Sequence, residues 1–334
     1  MKKLSIIIFL VFACSVFGQT AELDALRQKA EQGNADAQYN LGYMYFQGQG
    51  VARDEAETVK WWLKAADQGL GKAQTNLGIM YAQGRGVTKD ETEAVKWYGK
   101  AAKQGIAFAQ YNLGLAHAQG QGVAKDEVEA AKWYRKAAEQ GFAPAQYNLG
   151  AMYATGRGLA RNDAEAVKWY REAAGQGNVD AQNDLGIMYH TGQCVAKDDA
   201  EAAKWWRKAA EQGHVLAQSN LGLLYINGRG VIKDATEAMK WFRKAAEQGN
   251  SVAQYNLGIM YYTAQGVAQD NAEAVKWYLA AAKQGDADAQ YNLGIMYIAG
   301  AGIKRDENEA KIWLQKSAAQ GHVEAAKLLK SLQP

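Results

Sequence analysis

Between residues 35 and 47, Ala37, Leu41, Met44 and Tyr45 fall on one side of a helix when positions are advanced by 100° per residue. A second pattern of this kind runs over 55–68, with Trp61, Ala65 and Ala66 on one face. The spacing predicts two helices joined by the loop "GQGVARD", whose paired glycines supply positive-φ conformations. Asp54 stands at the expected N-cap of the second helix, where a carboxylate accepts from free backbone amides. Glu57, three residues on, is placed to bond back to the cap amide. Gly69 marks the end as a C′ glycine.

The pattern returns every 36 residues. "AQYNLG" stands at 37–42, 109–114, 145–150, 253–258 and 289–294, with near-copies from Ala73, Ala181 and Ala217. The cap residue recurs from Asp54 to Asp306, with Asn162 once, and Trp61 has equivalents at 97, 133, 169, 205, 241, 277 and 313. A tryptophan per unit is expected to anchor a continuous core, and Gly42 and its equivalents to let a neighbouring helix approach. One helix pair cannot bury both its faces, but a stack of pairs can. The units read 34–69, 70–105, 106–141, 142–177, 178–213, 214–249, 250–285 and 286–321, flanked by capping helices at 19–33 and 322–334. The expected fold is therefore all-α: an α/α solenoid superhelix of eight 36-residue helix-loop-helix repeats, with no sheet.

On these residues the chain resembles the Sel-1-like repeat, a relative of the tetratricopeptide repeat. The resemblance covers 34–321 and rests on the run from "AQYNLG" through the Gly-rich loop and cap Asp to the Trp, "KAA" and closing Gly. It implies a non-enzymatic scaffold for protein complexes, in bacteria often exported and acting in envelope assembly, signalling or host contact. A cysteine-rich secreted branch staples each repeat with a disulfide. The cysteines of that branch are absent here, so its β-lactamase-like label does not carry over.

Charge and composition narrow the reading further. The 334 residues carry a formal charge of +3, with lysines and acids interleaved and no basic block for phosphates, which argues against nucleic acid. Residues 1–18 read as a signal peptide: Lys2 and Lys3, an apolar run from Leu4 to Phe12, then small residues with cleavage after Gly18. The alternatives are a lipoprotein signal ending at Cys14, for which Phe12 fits poorly, and an uncleaved anchor. No other segment is apolar enough to span a bilayer. The expected location is periplasmic or secreted, or the outer membrane if Cys14 carries lipid. Cys14 and Cys194 are the two cysteines, so an exported chain that loses Cys14 has no intrachain disulfide.

Reactive motifs are missing from the sequence. None of the six serines lies in S-x-x-K or G-x-S-x-G. His117, His190, His214 and His322 form no zinc spacing, and no cofactor or metal is expected. The recurring Asp-x-x-Glu fits capping better than paired catalytic carboxylates.

What remains is a face. Positions 39, 43 and 46 of each first helix point away from the core by the angle count. They are expected to line the concave side and hold an extended peptide through Tyr39, Tyr43, Phe46, Tyr111, Tyr147, Asn183, His190, Ser219, Tyr255 and Tyr291. Rings give contact area and Asn40-type amides meet backbone groups. The competing account buries position 43 between successive first helices. Units five and six depart from the pattern at Asn183, Asp184, His190, Cys194, His214 and Ser219, by specialisation or by drift. The function expected is an exported protein-interaction scaffold with a protein or peptide partner. The alternative is a regulatory or inhibitory binder of an envelope enzyme or cell-wall component, and a hydrolase ranks third. Partner identity and oligomeric state stay open.

Overall fold

Every segment with the helical period forms a helix in the computed structural model, which describes residues 21–332. Eighteen helices and no strand occur among the described residues. Two units are distinguished, one ending at Trp169 and one beginning at Tyr170, with the division inside α9 (Asp163–Gly175). The first unit holds α1 (21–31), α2 (Ala35–Gln47), α3 (Glu55–Asp67), α4 (Gly71–Gln83), α5 (Glu91–Lys103), α6 (Ala107–Gln119), α7 (Glu127–Glu139) and α8 (Ala143–Thr155). The second holds α10 (Val179–Thr191), α11 (Asp199–Glu211), α12 (Val215–Asn227), α13 (Ala235–Glu247), α14 (Ser251–Thr263), α15 (Asn271–Lys283), α16 (Ala287–Ala299), α17 (Glu307–Ala319) and α18 (Val323–Ser331). Within each unit consecutive helices pack on one another, the local pattern of a solenoid. The signal segment and Cys14 lie outside the described residues.

The caps form as the residues require, with one correction. Asp54 accepts from the Ala56 and Glu57 amides, and Asp90, Asp126 and Asp234 from Glu93, Glu129 and Glu237. The Glu three residues on does not bond back to the cap amide. That amide already donates to the first helix: Asp54 N–H to the Tyr45 carbonyl at 3.0 Å, and likewise Asp90 to Tyr81 and Asp234 to Tyr225. The bond closes the hairpin and leaves the glutamate free to pair outward, as Glu57 does with Lys60 and Glu93 with Lys96.

The core also corrects the expectation. Trp61, Trp97, Trp241 and Trp313 are buried, but Trp133, Trp169, Trp205 and Trp277 are half-buried. The residue one step further is buried in every unit: Trp62, Tyr98, Tyr134, Tyr170, Trp206, Phe242, Tyr278 and Leu314. What Gly42 admits is the Trp62 ring of its own unit, since a Cβ there would sit 2.6 Å from Trp62 Cδ1. A Cβ on Gly78 would likewise sit 2.4 Å from the Tyr98 ring, and one on Gly222 2.7 Å from Phe242. These glycines are thus sockets for one ring each, and Gly294 is the socket for Leu314.

The glutamine of "AQYNLG" has a role the pattern did not predict. Gln74 is buried; its Nε2 donates to the Ala66 carbonyl at 2.9 Å and its Oε1 accepts from Gln104 Nε2 at 2.7 Å. The motif recurs with Gln110 and Gln140, Gln182 and Gln212, Gln218 and Gln248, and Gln254 and Gln284. The Ala66 carbonyl, which already accepts from the Gly69 amide at 3.0 Å, thus takes a second hydrogen bond from the next unit.

Candidate binding face of the first helices

Side chains at position 39 are held, not free. Tyr39 is half-buried, stacks on Trp62 at 5.9 Å between centroids, and its hydroxyl accepts from Asn76 Nδ2 at 3.2 Å. Tyr111 packs on Tyr134 and Tyr255 on Tyr278. Burial raises the pKa of Tyr111 and Tyr255, partly offset by hydrogen bonds with Asn148 and Asn292 of the following unit. The "YN" of the repeat is therefore a bridge between units. Tyr291 stacks on His322 at 4.5 Å, and Tyr147 is half-buried.

Two expected stripe residues are not on an accessible surface. Asn183 is 4% exposed and Ser219 3%. A tyrosine at this position reaches outward past its neighbours, but a short side chain stays beneath them. The Asn183 carbonyl accepts from Trp206 Nε1 and its amide turns to Asp184.

The face that does reach solvent is built from positions 40, 43, 46 and 47, together with position 39 where it is tyrosine. Tyr43 is exposed and Phe46 half-buried, and with Tyr39 and Trp62 they form a continuous run of rings with centroids 5.6–6.5 Å apart. The Arg85 guanidinium lies 4.8 Å over Phe46. Ile79, Ile187, Ile259 and Ile295 are half-buried, lying between the two accounts of position 43.

Between successive first helices these side chains leave clefts. One of about 360 Å³ opens between α6 and α8, with Leu115 and Ala118 on one wall, Asn148 and Thr155 on the other, and Tyr134 as floor. A second, about 290 Å³, lies between α10 and α12, with Ile187 and His190 facing Asn220, Leu223 and Asn227 over Trp206. Burial pushes the Tyr98 and Tyr134 phenols up to about 12, so these floor rings stay neutral.

An arginine guards alternate clefts. Arg85 Nη2 pairs with Glu55 at 2.5 Å, Arg157 Nη2 with Glu127 at 2.7 Å, and Arg229 Nε with Asp199 at 3.3 Å. Hydrogen bonds from Arg85 and then Arg53 hold the Glu55 carboxyl at about 2, and Arg157 and Lys125 lower that of Glu127. The pairing was not anticipated, though its signal is visible. The position reads Gln49, Arg85, Gln121, Arg157, Gln193, Arg229 and Gln265, an alternation over two repeats.

His190 joins one of these pairs. Its Nδ1 lies 2.6 Å from Asp199 Oδ1 and its ring 5.3 Å from that of Trp206. Burial alone would raise the Asp199 pKa, but the His190 hydrogen bond and the Arg229 charge hold it below the ordinary carboxylate value. Cys194 is half-buried with φ +63°, at a position where other units carry glycine. Among the described residues no group of three or more His, Cys, Asp or Glu could hold a metal, and no helix is long and apolar enough to cross a membrane.

Known proteins share this architecture. The Sel1 repeat matches eight times, at 35–70, 71–106, 107–142, 143–178, 179–214, 215–250, 251–286 and 287–322. The structure is similar to a protective antigen of uropathogenic Escherichia coli with an SLR fold. The TM-score is 0.90 and the identity 42%, over 93% of this chain and 67% of that one. It is also similar to a Sel1 repeat protein from Oxalobacter formigenes, with a TM-score of 0.69 and 35% identity over 95% and 93% of the two chains. A shorter stretch of 43 residues is 46% identical to the secretory immunoglobulin A-binding protein EsiB of E. coli O6:H1, spanning 13% of this chain and 9% of that protein. Eight matched repeats and the same helical stacking give one conclusion: the chain belongs to the Sel1 repeat family.

Proposed function

We propose that this protein is an exported scaffold that holds a partner protein or peptide along the exposed face of its first helices. The observation that carries this is the recurrence of apolar-floored clefts between those helices, rimmed by amides, each with different side chains on the same frame. Loops repeat nearly the same glycines and charges in every unit, so they offer little to tell one partner from another. Position 43 varies from Tyr43 through Leu115 and Ala151 to Ile187, as an address would. A relative named for binding secretory immunoglobulin A supports a protein as the kind of partner. Of the stripe read from the sequence, Tyr39, Tyr43, Phe46, Tyr111, Tyr147, His190, Tyr255 and Tyr291 remain in the proposed face.

Affinity capture from cell-envelope fractions tests the reading, with wild type and a Tyr43→Ala, Ile187→Ala, Ile259→Ala variant. Central anchors commonly cost ~2 kcal/mol or more on truncation, so the captured partner should be lost while circular dichroism stays unchanged. A loop variant, Arg53→Ala with Lys89→Ala, should capture as wild type does. Retention by the face variant and loss by the loop variant would move the site to the loops. Export rests on Lys2, Lys3 and the apolar run to Phe12. Mass spectrometry of the mature protein should find its N-terminus near Gln19, or lipid on Cys14, and an intact soluble Met1 form would contradict it.

A further inference from the structure

Two clefts on this protein share one frame 72 residues apart, which makes each the control for the other. Between α6 and α8 the frame carries Ala118, Glu127, Tyr134 and Arg157. Between α10 and α12 the same positions are His190, Asp199, Trp206 and Arg229. Both have an acid and an arginine at the mouth, an aromatic floor and an asparagine wall. They differ in how the arginine is used.

Arg157 is held side-on by its acid, since Nε at 3.2 Å and Nη2 at 2.7 Å both donate to Glu127 Oε1, which leaves Nη1 as its one nitrogen without a partner among the described residues. Arg85 does the same with Glu55. At the second cleft the acid is one methylene shorter, and its Oδ1 is taken by His190 at 2.6 Å. Arg229 meets the other oxygen, Oδ2, through Nε alone at 3.3 Å. The two terminal nitrogens of Arg229 therefore have no partner among the described residues, and its side chain is 46% exposed beside the cleft. Nε is anchored and the outer fork is presented. That is the arrangement with which a guanidinium takes a carboxylate through two parallel hydrogen bonds. The Asn220 side chain, also on the wall, makes no hydrogen bond among the described residues and adds a free donor. Trp206, Ile187 and Leu223 supply an apolar surface for the stem of whatever carries the charge.

We propose that the cleft between α10 and α12 is a carboxylate subsite for a bound peptide, with the Arg229 fork on the carboxylate and an adjoining apolar side chain over Trp206. Its volume, about 290 Å³, is at the lower end of small-molecule sites, which suits a side chain or a chain end. His190 acts here as a positioning residue: it holds Asp199 away from full engagement with the arginine. The inference rests on the peptide-binding reading above.

The test uses the full chain and three fluorescein-labelled decapeptides in a Gly/Ser background. One has Leu-Glu at its centre and an amidated end, one Leu-Gln with an amidated end, and one Leu-Gln ending in a free carboxylate. By fluorescence anisotropy, at least one carboxylate peptide should bind wild type about tenfold more tightly than the amidated Leu-Gln peptide, since hydrogen bonds between charged groups are stronger than those between neutral ones. Which one gains identifies a side-chain or a terminal carboxylate. Arg229→Gln should bring the ratio to about one with helicity and thermal midpoint unchanged, because glutamine already occupies the position at 121, 193 and 265. His190→Ala, the residue of the sister cleft, should lower the ratio several-fold by letting Asp199 close on the arginine, and His190→Asn should partly restore it. Equal binding of all three peptides by wild type, absence of binding, or an unchanged ratio in Arg229→Gln would each overturn the proposal. A partner still captured from envelope fractions in that case would leave the scaffold reading standing and remove only this subsite.

Discussion

A single Cβ separates two kinds of glycine in this chain. Gly78 lies in α4 with the Tyr98 ring against it, so Gly78→Ala forces a methyl to within 2.4 Å of Tyr98 Cε1. Overpacking of this kind costs about 1–3 kcal/mol, and urea unfolding should show that loss. Gly99, inside α5, has no neighbouring atom within 4 Å of where an alanine methyl would stand. There Gly99→Ala should stabilise by roughly 0.5–1 kcal/mol, because only the helix propensity changes. The same logic runs in reverse at Ala264. This residue holds φ +58° where Gly48, Gly84 and Gly228 hold the first-helix C-cap, and left-handed backbone costs an L-residue roughly 1–2 kcal/mol. Ala264→Gly should raise the urea midpoint, and a fall would show that the Ala264 side chain contributes more than its backbone costs. Glycine is thus favourable, neutral or unfavourable according to what stands opposite it.

Between elements, the loop of one unit is clamped to the second helix of the unit before. Gly86 would place a Cβ 2.1 Å from the Glu55 carbonyl oxygen, and one residue earlier Arg85 pairs with the Glu55 carboxylate. The Glu55 pKa is lowered from 4.5 to about 2, chiefly by Arg85. A depressed carboxylate pKa stabilises the fold above the unfolded value and loses that contribution as pH falls through the folded one. Arg85→Gln should therefore lower the urea midpoint at pH 6, and the gap from wild type should narrow between pH 4.5 and about 2. A gap that persists below pH 2 would assign the effect to packing of Arg85 on Phe46. Helices, caps and turns of this array were legible in the sequence because each is a local signal repeated eight times. The choice of buried ring was not, because positions 61 and 62 differ by one step and both are usually aromatic. The glutamine bridge was hidden for another reason: Gln74 reaches the Ala66 carbonyl of the unit before, and that meeting depends on the register between units. At the candidate face, position 39 was read as one series, yet Tyr39 reaches outward and Asn183 and Ser219 are covered. Side-chain length decides that, and an angle count does not see it.

At the scale of the whole molecule, contacts run between neighbouring helices, and in the second unit first helices also touch the next first helix, as α12 touches α14. No strand pairing or disulfide among the described residues ties distant units together. Stability is then a sum of unit terms and nearest-neighbour terms, and damage should stay local. Phe242 gives the sharpest test, being fully buried and seated against Gly222, with Leu257 and Met260 in the same core. Phe242→Ala removes a ring from a socket shaped by a glycine, a change that costs roughly 3–5 kcal/mol in a core. Hydrogen exchange should show faster opening of α12 to α15 and unchanged protection of α2 to α5, which lie in the other unit. Trp205→Ala should have the smaller effect of the two, since that ring is half-buried and partly covered by the Lys208 ammonium at 4.2 Å. Equal acceleration at both ends of the chain in Phe242→Ala would mean that the array unfolds as one cooperative body. A partner bound along several clefts would then stabilise every unit, and not only those it touches.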